Sequence, residues 1–353
     1  MQTFISETIS DIISKTTSFD HVVFILPSQR AGVFVKQAFK KNIVSGFLPE
    51  IINIQTFTTQ VSGIHKVDSI QLLFHFYTVY KTLEQHPVTF DTFSSWAFTV
   101  LQDFNEIDQH LVATKDIFEY LKDINRLENW SVESDVKETP LMKTHHAFIE
   151  KLNEYYDTFY TFLKKRKIGY QGVLYREATK KIDLFLEKNS HKTYYFIGFN
   201  ALNASEEVIV QKMLSYGNTD VYWDIDQSFL DDKHQAGNFI RRHKKQWPYY
   251  EKNDLKSVGN WFSKEKEIHL IGASKNITQI KHVGEILSTM PDFTKTALIL
   301  ADESLLPITL NSLPENVDSV NITMGYPLKN IPTTNVLFSI FQLFVSQEKL
   351  QKT

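Results

Sequence analysis

Two runs carry the densest positive charge in this 353-residue chain: Lys164-Lys165-Arg166-Lys167 and Arg241-Arg242-His243-Lys244-Lys245. Side chains of this kind neutralise successive phosphates, a binding mode that is blind to sequence and weakens as salt rises. Their other reading is a solvated helix end. The second run is followed by Trp247, Tyr249 and Tyr250, rings of the kind on which bases stack, which favours Arg241, Arg242, Lys244 and Lys245. Ser28-Gln29-Arg30 follows an apolar run stopped by Pro27. The amides of a starting helix beside an arginine suit an anion there, the alternative being a capped turn with a surface arginine. Thr56-Phe57-Thr58 closes a second apolar run, where Phe57 either stacks a base or is buried in support of the turn.

Other chemistries find less in the chain. With no cysteine there is no thiolate nucleophile, disulfide or cysteine-held zinc or iron–sulfur cluster. His145, His146 and Glu150 have metal-like spacing on a helix but no third ligand nearby. Asp224 and Asp226 end an apolar run and are read as turn-capping carboxylates. No Gly-x-x-x-x-Gly-Lys-Ser/Thr loop occurs, so the backbone cradle and lysine that hold nucleotide phosphates are absent from the sequence. The expectation is a chain without a cofactor.

The net charge of −3 supplies no bulk positive field, so any phosphate contact must use local patches. A length of 353 residues calls for two domains, or one domain with a large insertion. The 27 phenylalanines and 42% hydrophobic content argue against long disorder. Residues 1–15 mix Gln2, Ser6, Glu7 and Asp11 with apolar positions, unlike a signal peptide, and no run approaches the roughly 18 apolar residues of a membrane span. A cytoplasmic protein without membrane contact is expected.

The elements that must position these groups follow from periodicity. Residues 21–26 form an unbroken β-branched and aromatic run, the signature of a strand covered on both faces. A helix over 31–41 and a strand over 51–54 complete a βαβ unit. From 65 to 188 the apolar positions recur at helical spacing, through Leu73, Phe76, Tyr80, Phe93, Phe104, Tyr155 and Phe159. Strands return at 193–198 and 220–225 around a helix over 205–215. A second βαβ unit is expected from strands at 267–271 and 296–300 around a helix over 277–290. An apolar helix over 336–345 closes the chain without a domain-like end, so the sequence reads as truncated.

Taken in order, these segments resemble AddB-type helicase–nuclease subunits, whose N-terminal part is an inactivated superfamily I helicase. VVFILPSQRAGVFVKQAF (22–39) is similar to the family's segment after the first helix, where a strand ends in a Pro-x-Gln turn. Residues 54–58 resemble the next strand end, and YQGVLYREA (170–178) resembles the approach to the Walker B strand. TYYFIGFNALNASE (193–206) looks like the Walker B region itself, with Ile197-Gly198-Phe199-Asn200 where the metal-binding and base carboxylates belong. IHLIGASKNITQIKHVGEI (268–286), 296–301 and MGYPL (324–328) resemble the second RecA-like domain.

The resemblance implies an α/β fold with a RecA-like parallel sheet of the P-loop-NTPase type. Residues 1–64 and 189–262 would form the first domain, 65–188 a helical insertion, and 263–353 the start of a second domain. It implies a non-catalytic module in DNA double-strand-break repair and recombination. That module guides or senses single-stranded DNA or a duplex end, with an AddA-type motor subunit as partner. The family's PD-(D/E)XK nuclease is not recognisable after Asn311 and is expected beyond Thr353. Phosphoryl transfer lacks its parts here. The rival readings are a docking platform for the motor and nuclease, and an unrelated α/β enzyme holding a small ligand at the sheet's switch point.

Overall fold

Val22–Leu26 is buried at every position, and a strand covered on both faces needs helices on each side of its sheet. The computed structural model describes residues 3–16, 18–42, 48–130, 140–231, 234–328 and 331–351. In chain order the elements are α1 (Phe4–Lys15), β1 (Val22–Leu26), α2 (Gln29–Asn42), β2 (Glu50–Asn53), α3 (Ile54–Ser62), β3 (His65–Lys66), α4 (Ser69–Leu83), α5 (Phe90–Gln109), α6 (Thr114–Trp130) and α7 (Pro140–Arg166). There follow β4 (Ile168–Gly169), α8 (Gln171–Lys188), β5 (Thr193–Phe199), α9 (Ala204–Tyr216), β6 (Thr219–Asp226), α10 (Gln227–Asp231), α11 (Asn238–Gln246), β7 (Lys256–Gly259), α12 (Asn276–Ser288), α13 (Leu306–Leu310) and α14 (Pro332–Gln351). The chain divides into two units, Met1–Lys264 and Glu265–Thr353.

The first unit is α/β. Its five-stranded sheet runs β2-β1-β5-β6-β7, with every pairing parallel. The order reverses between β1 and β5, as in doubly wound sheets. Alternation along β1 serves both faces. Val23 and Ile25 pack with Phe57 of α3, Ile182 of α8 and Ile209 of α9, whereas Phe24 and Leu26 pack with Ile12 of α1 and Val35 of α2.

Between α3 and α8 the helices α4 to α7 build their own core around Phe76, Phe93, Phe104 and Phe159. The short parallel pair β3–β4 closes the base of this insertion. Helix α8 belongs to both cores, contributing Val173 and Leu174 to one and Ala178 and Ile182 to the other. A Cβ on Gly172 would stand 2.4 Å from the carbonyl oxygen of Asn105, so glycine is what lets α8 approach α5. Beside it a buried polar cluster ties three helices. Asp108 of α5 accepts hydrogen bonds from Tyr156 and, at 2.7 Å, from Tyr170, and pairs with Arg176 Nε at 2.6 Å. Burial raises the Asp108 carboxyl above its usual range, against the lowering effect of those tyrosines and Arg176.

Two sequence expectations need correction. Residues 54–58 do not end a strand: Asn53 accepts a hydrogen bond from the Thr56 amide at 2.8 Å, and this N-cap starts α3 at Ile54. Residues 267–271 and 296–300 form no strand. Among the described residues no extended neighbour is hydrogen-bonded to them, and Leu270 and Ile299 are 94% and 87% exposed, whereas a parallel strand requires partners and cover on both faces. The second unit is therefore helical in its regular structure among the described residues.

Candidate functional site

Because the strands are parallel, their C-terminal ends at Leu26, Asn53, Phe199, Asp226 and Gly259 lie along one edge of the sheet, and the helices that follow begin there. The first turn of α9 offers its amides Glu206 and Glu207, and Glu206 closes a capping box with Asn203. The first turns of α2 and α3 carry no acidic residue. These two helix starts present the uncompensated positive ends of the edge.

Ser28, Gln29 and Arg30 sit at the first of them, all exposed. Ser28 Oγ accepts a hydrogen bond from the Ala31 amide at 3.3 Å, and Arg30 makes no ion pair among the described residues. On the adjacent strand end Thr56 is exposed on the first turn of α3. Phe57 and Thr58 are fully buried. Phe57 meets Phe185, Tyr194 and Phe196 edge-on at ring separations of 5.6, 6.1 and 6.3 Å, so its ring is not open to a base. Thr58 donates to the Ile54 carbonyl at 3.0 Å.

The basic run of α11 also reaches this edge, through Arg242, which pairs with Glu207 in the first turn of α9. Arg241 donates to the carbonyls of Phe229 and, at 2.8 Å, His234. Both arginines are thus structural. His243 is fully buried against Trp223 and Trp247, at ring separations of 5.3 and 4.6 Å, and burial lowers its pKa. Trp247 and Tyr250 are core residues, with Trp223 Nε1 donating to Tyr250 at 2.6 Å. Lys244 and Lys245 remain exposed and line a cleft of about 420 Å³ shared with Asp231 and Asp254. In the other basic run Lys164 pairs with Glu177 at 3.5 Å and Arg166 lies 4.0 Å over the Phe162 ring.

No protein-family model matches this sequence. A comparison with curated proteins finds no match. Among the described residues no three His, Asp or Glu side chains gather as a metal site, and no helix is long and apolar enough to cross a membrane. The side chains of His145 and His146 lie outside the described residues.

The edge holds one feature that spacing did not reveal. A cleft of about 350 Å³ opens at the switch point between the start of α1 and the ends of β1, β5 and β6. Its walls include Phe4, Leu26, Phe34 and Ile197, and its polar side chains are Thr3, which caps α1, and Asp224, its one charged group. Asp226 caps as expected, accepting from the Ser228 amide at 3.0 Å and the Phe262 amide at 2.8 Å. Among the described residues Asp224 caps nothing. Although its surface is open to solvent, the cleft walls desolvate its carboxyl enough to raise it above the usual carboxylate range. The available signals were Gly198 inside a strand pattern, which marks a bulge, and the two-residue spacing that puts Tyr222 and Asp224 on one face.

Proposed function

We propose that the chain is a helicase-like module of an AddB-type helicase–nuclease, one that guides or senses single-stranded DNA without hydrolysing nucleotide. In this reading the first unit corresponds to a RecA-like domain, a partner of the AddA type supplies the motor, and the context is repair of DNA ends. The observation that carries the reading is the exposed Ser28-Gln29-Arg30 turn at a helix start whose first turn holds no acidic residue, on the same sheet edge as Thr56. Backbone amides and a guanidinium with no ion pair among the described residues suit phosphates passing along the edge. The helical insertion between α3 and α8, together with the missing phosphate-binding loop, supports the same assignment.

Binding of a labelled single strand and a tailed duplex across salt tests this. Salt-sensitive binding weakened by Arg30→Ala supports the edge as a DNA path, and no binding at low salt sinks it. Lys244 and Lys245 are the pair to neutralise alongside, because replacing Arg241 or Arg242 removes contacts that hold α11 in place.

The docking-platform reading has its own support in the second unit. Helix α14 exposes Leu337, Phe338, Phe341, Leu343 and Phe344, which together span more than one face, and such a helix suits burial against further protein.

A further inference from the structure

We propose that the cleft at the switch point binds a small organic cation, with Asp224 as counter-ion and Phe4 and Phe34 as aromatic walls. The inference goes beyond DNA handling and does not depend on it. The volume of about 350 Å³ falls at the lower end of the range for small-molecule sites, which are mostly apolar with a few placed polar groups.

Charge decides the ligand class. None of the residues lining the cleft is a lysine, arginine or histidine, and Asp224 has no hydrogen bond or ion pair among the described residues. Its neighbours on the strand are already engaged: Asp220 pairs with Lys256 at 2.5 Å, and Asp226 accepts from the amides of Ser228, Trp261 and Phe262. An anion entering here meets a like charge, and a neutral apolar molecule leaves the carboxylate desolvated without compensation. A compact ammonium on an aromatic body satisfies both halves of the site, by ion pairing with Asp224 and by cation–π contact with the phenylalanine faces.

The backbone makes the room. The β5–β6 register shifts between Ile197 and Phe199, and Gly198 takes φ +75°, a conformation that favours glycine. A Cβ at this position would come within 3.6 Å of the Phe4 ring, so the absence of a side chain keeps the floor of the cleft open. Pro27 and Ala31, on either side of the Ser28–Arg30 turn, also line the cleft, so the partial positive charge of the α2 start opposes a cation there and the full charge of the Asp224 carboxylate has to outweigh it.

The test is a calorimetric titration of the full chain at neutral pH and low salt with 2-phenylethylammonium, and in parallel with 2-phenylethanol, a neutral probe of the same shape. The ammonium is expected to bind saturably and the alcohol about 10-fold or more weakly. Asp224→Asn is expected to weaken the ammonium about 10-fold while leaving the alcohol unchanged. Ala31→Leu, which fills the cleft from α2, is expected to abolish binding of both, with folding of each variant checked by its melting curve. The second variant keeps the test sound where Asp224→Asn alters stability. No saturable ammonium binding, equal affinity for the alcohol, or binding indifferent to both substitutions overturns the proposal.

Discussion

Residues 22–26 read Val-Val-Phe-Ile-Leu and residues 296–300 read Thr-Ala-Leu-Ile-Leu, two runs with the β-branched, apolar character of a buried strand. The first is β1, paired on both sides and covered on both faces. The second pairs with nothing among the described residues, and Ile299 is 87% exposed. Local composition is shared, so the difference lies in partners. β1 has β2 and β5 as neighbours, α1 and α2 over one face, and α3, α8 and α9 over the other. Strand propensity reports fitness for a half-buried pleated surface, and without that surface the run gains neither ladder hydrogen bonds nor the roughly 25 cal/mol per Å² of apolar burial.

The contrast is sharpened by truncating one apolar side chain in each unit. Phe57→Ala should cost about 4 kcal/mol in chemical denaturation, because it empties a fully buried site against three aromatic rings. Leu270→Ala should change stability by no more than about 0.5 kcal/mol, since Leu270 is 94% exposed. A large cost at Leu270 breaks the comparison, for it means that the second unit buries this run in solution.

A somewhat smaller effect is expected where the insertion meets the sheet. Gly172→Val places side-chain atoms against the Asn105 carbonyl and Asp108, and overpacking of this kind should cost about 3 kcal/mol by the same denaturation measurement. The corresponding change at Gly325, where nothing lies within 4 Å of an added Cβ, should be near neutral.

The smallest expected effect is a pH dependence from His243. Burial lowers its folded pKa, so both folded and unfolded states hold the ring neutral above the ordinary value of 6.5 and the stability contribution is full there. As pH falls below 6.5 the unfolded state takes the proton first, and stability is lost down to the lowered folded value. Asp108, Glu206 and Asp224, whose folded values are raised, act in the opposite direction. The difference between the protein and His243→Phe isolates the ring. The stability advantage of the histidine protein over the variant should shrink as the solution is acidified from neutrality, as read by melting temperature.

How much of this was legible depends on how local each feature is. The unbroken apolar run at 22–26 announced β1, and the helical spacing of Phe76, Phe93, Phe104 and Phe159 announced the insertion, because periodicity records which face is buried. Thr56–Thr58 was misread because the apolar run at Ile51–Ile54 continues past the Asn53 cap that starts the helix. The rings after the basic run look available in the sequence, yet Trp247 and Tyr250 are core, a fact fixed by Trp223 on a strand more than 20 residues earlier. The Asp108 cluster joins residues 48 and 62 positions apart, and no local pattern encodes that meeting. The Asp224 cleft needs the strand order, which places β6 beside β5 at the reversal.

The proposed path of DNA runs along the C-terminal edge of the sheet. It is tested most directly by placing a photo-crosslinking side chain at Ser28, or at Ser190 near the opposite ends of the strands, and irradiating each variant with a labelled single strand. The account expects a salt-sensitive crosslink at Ser28 and none at Ser190. Equal crosslinking at both edges, or crosslinking at Ser190 alone, contradicts it.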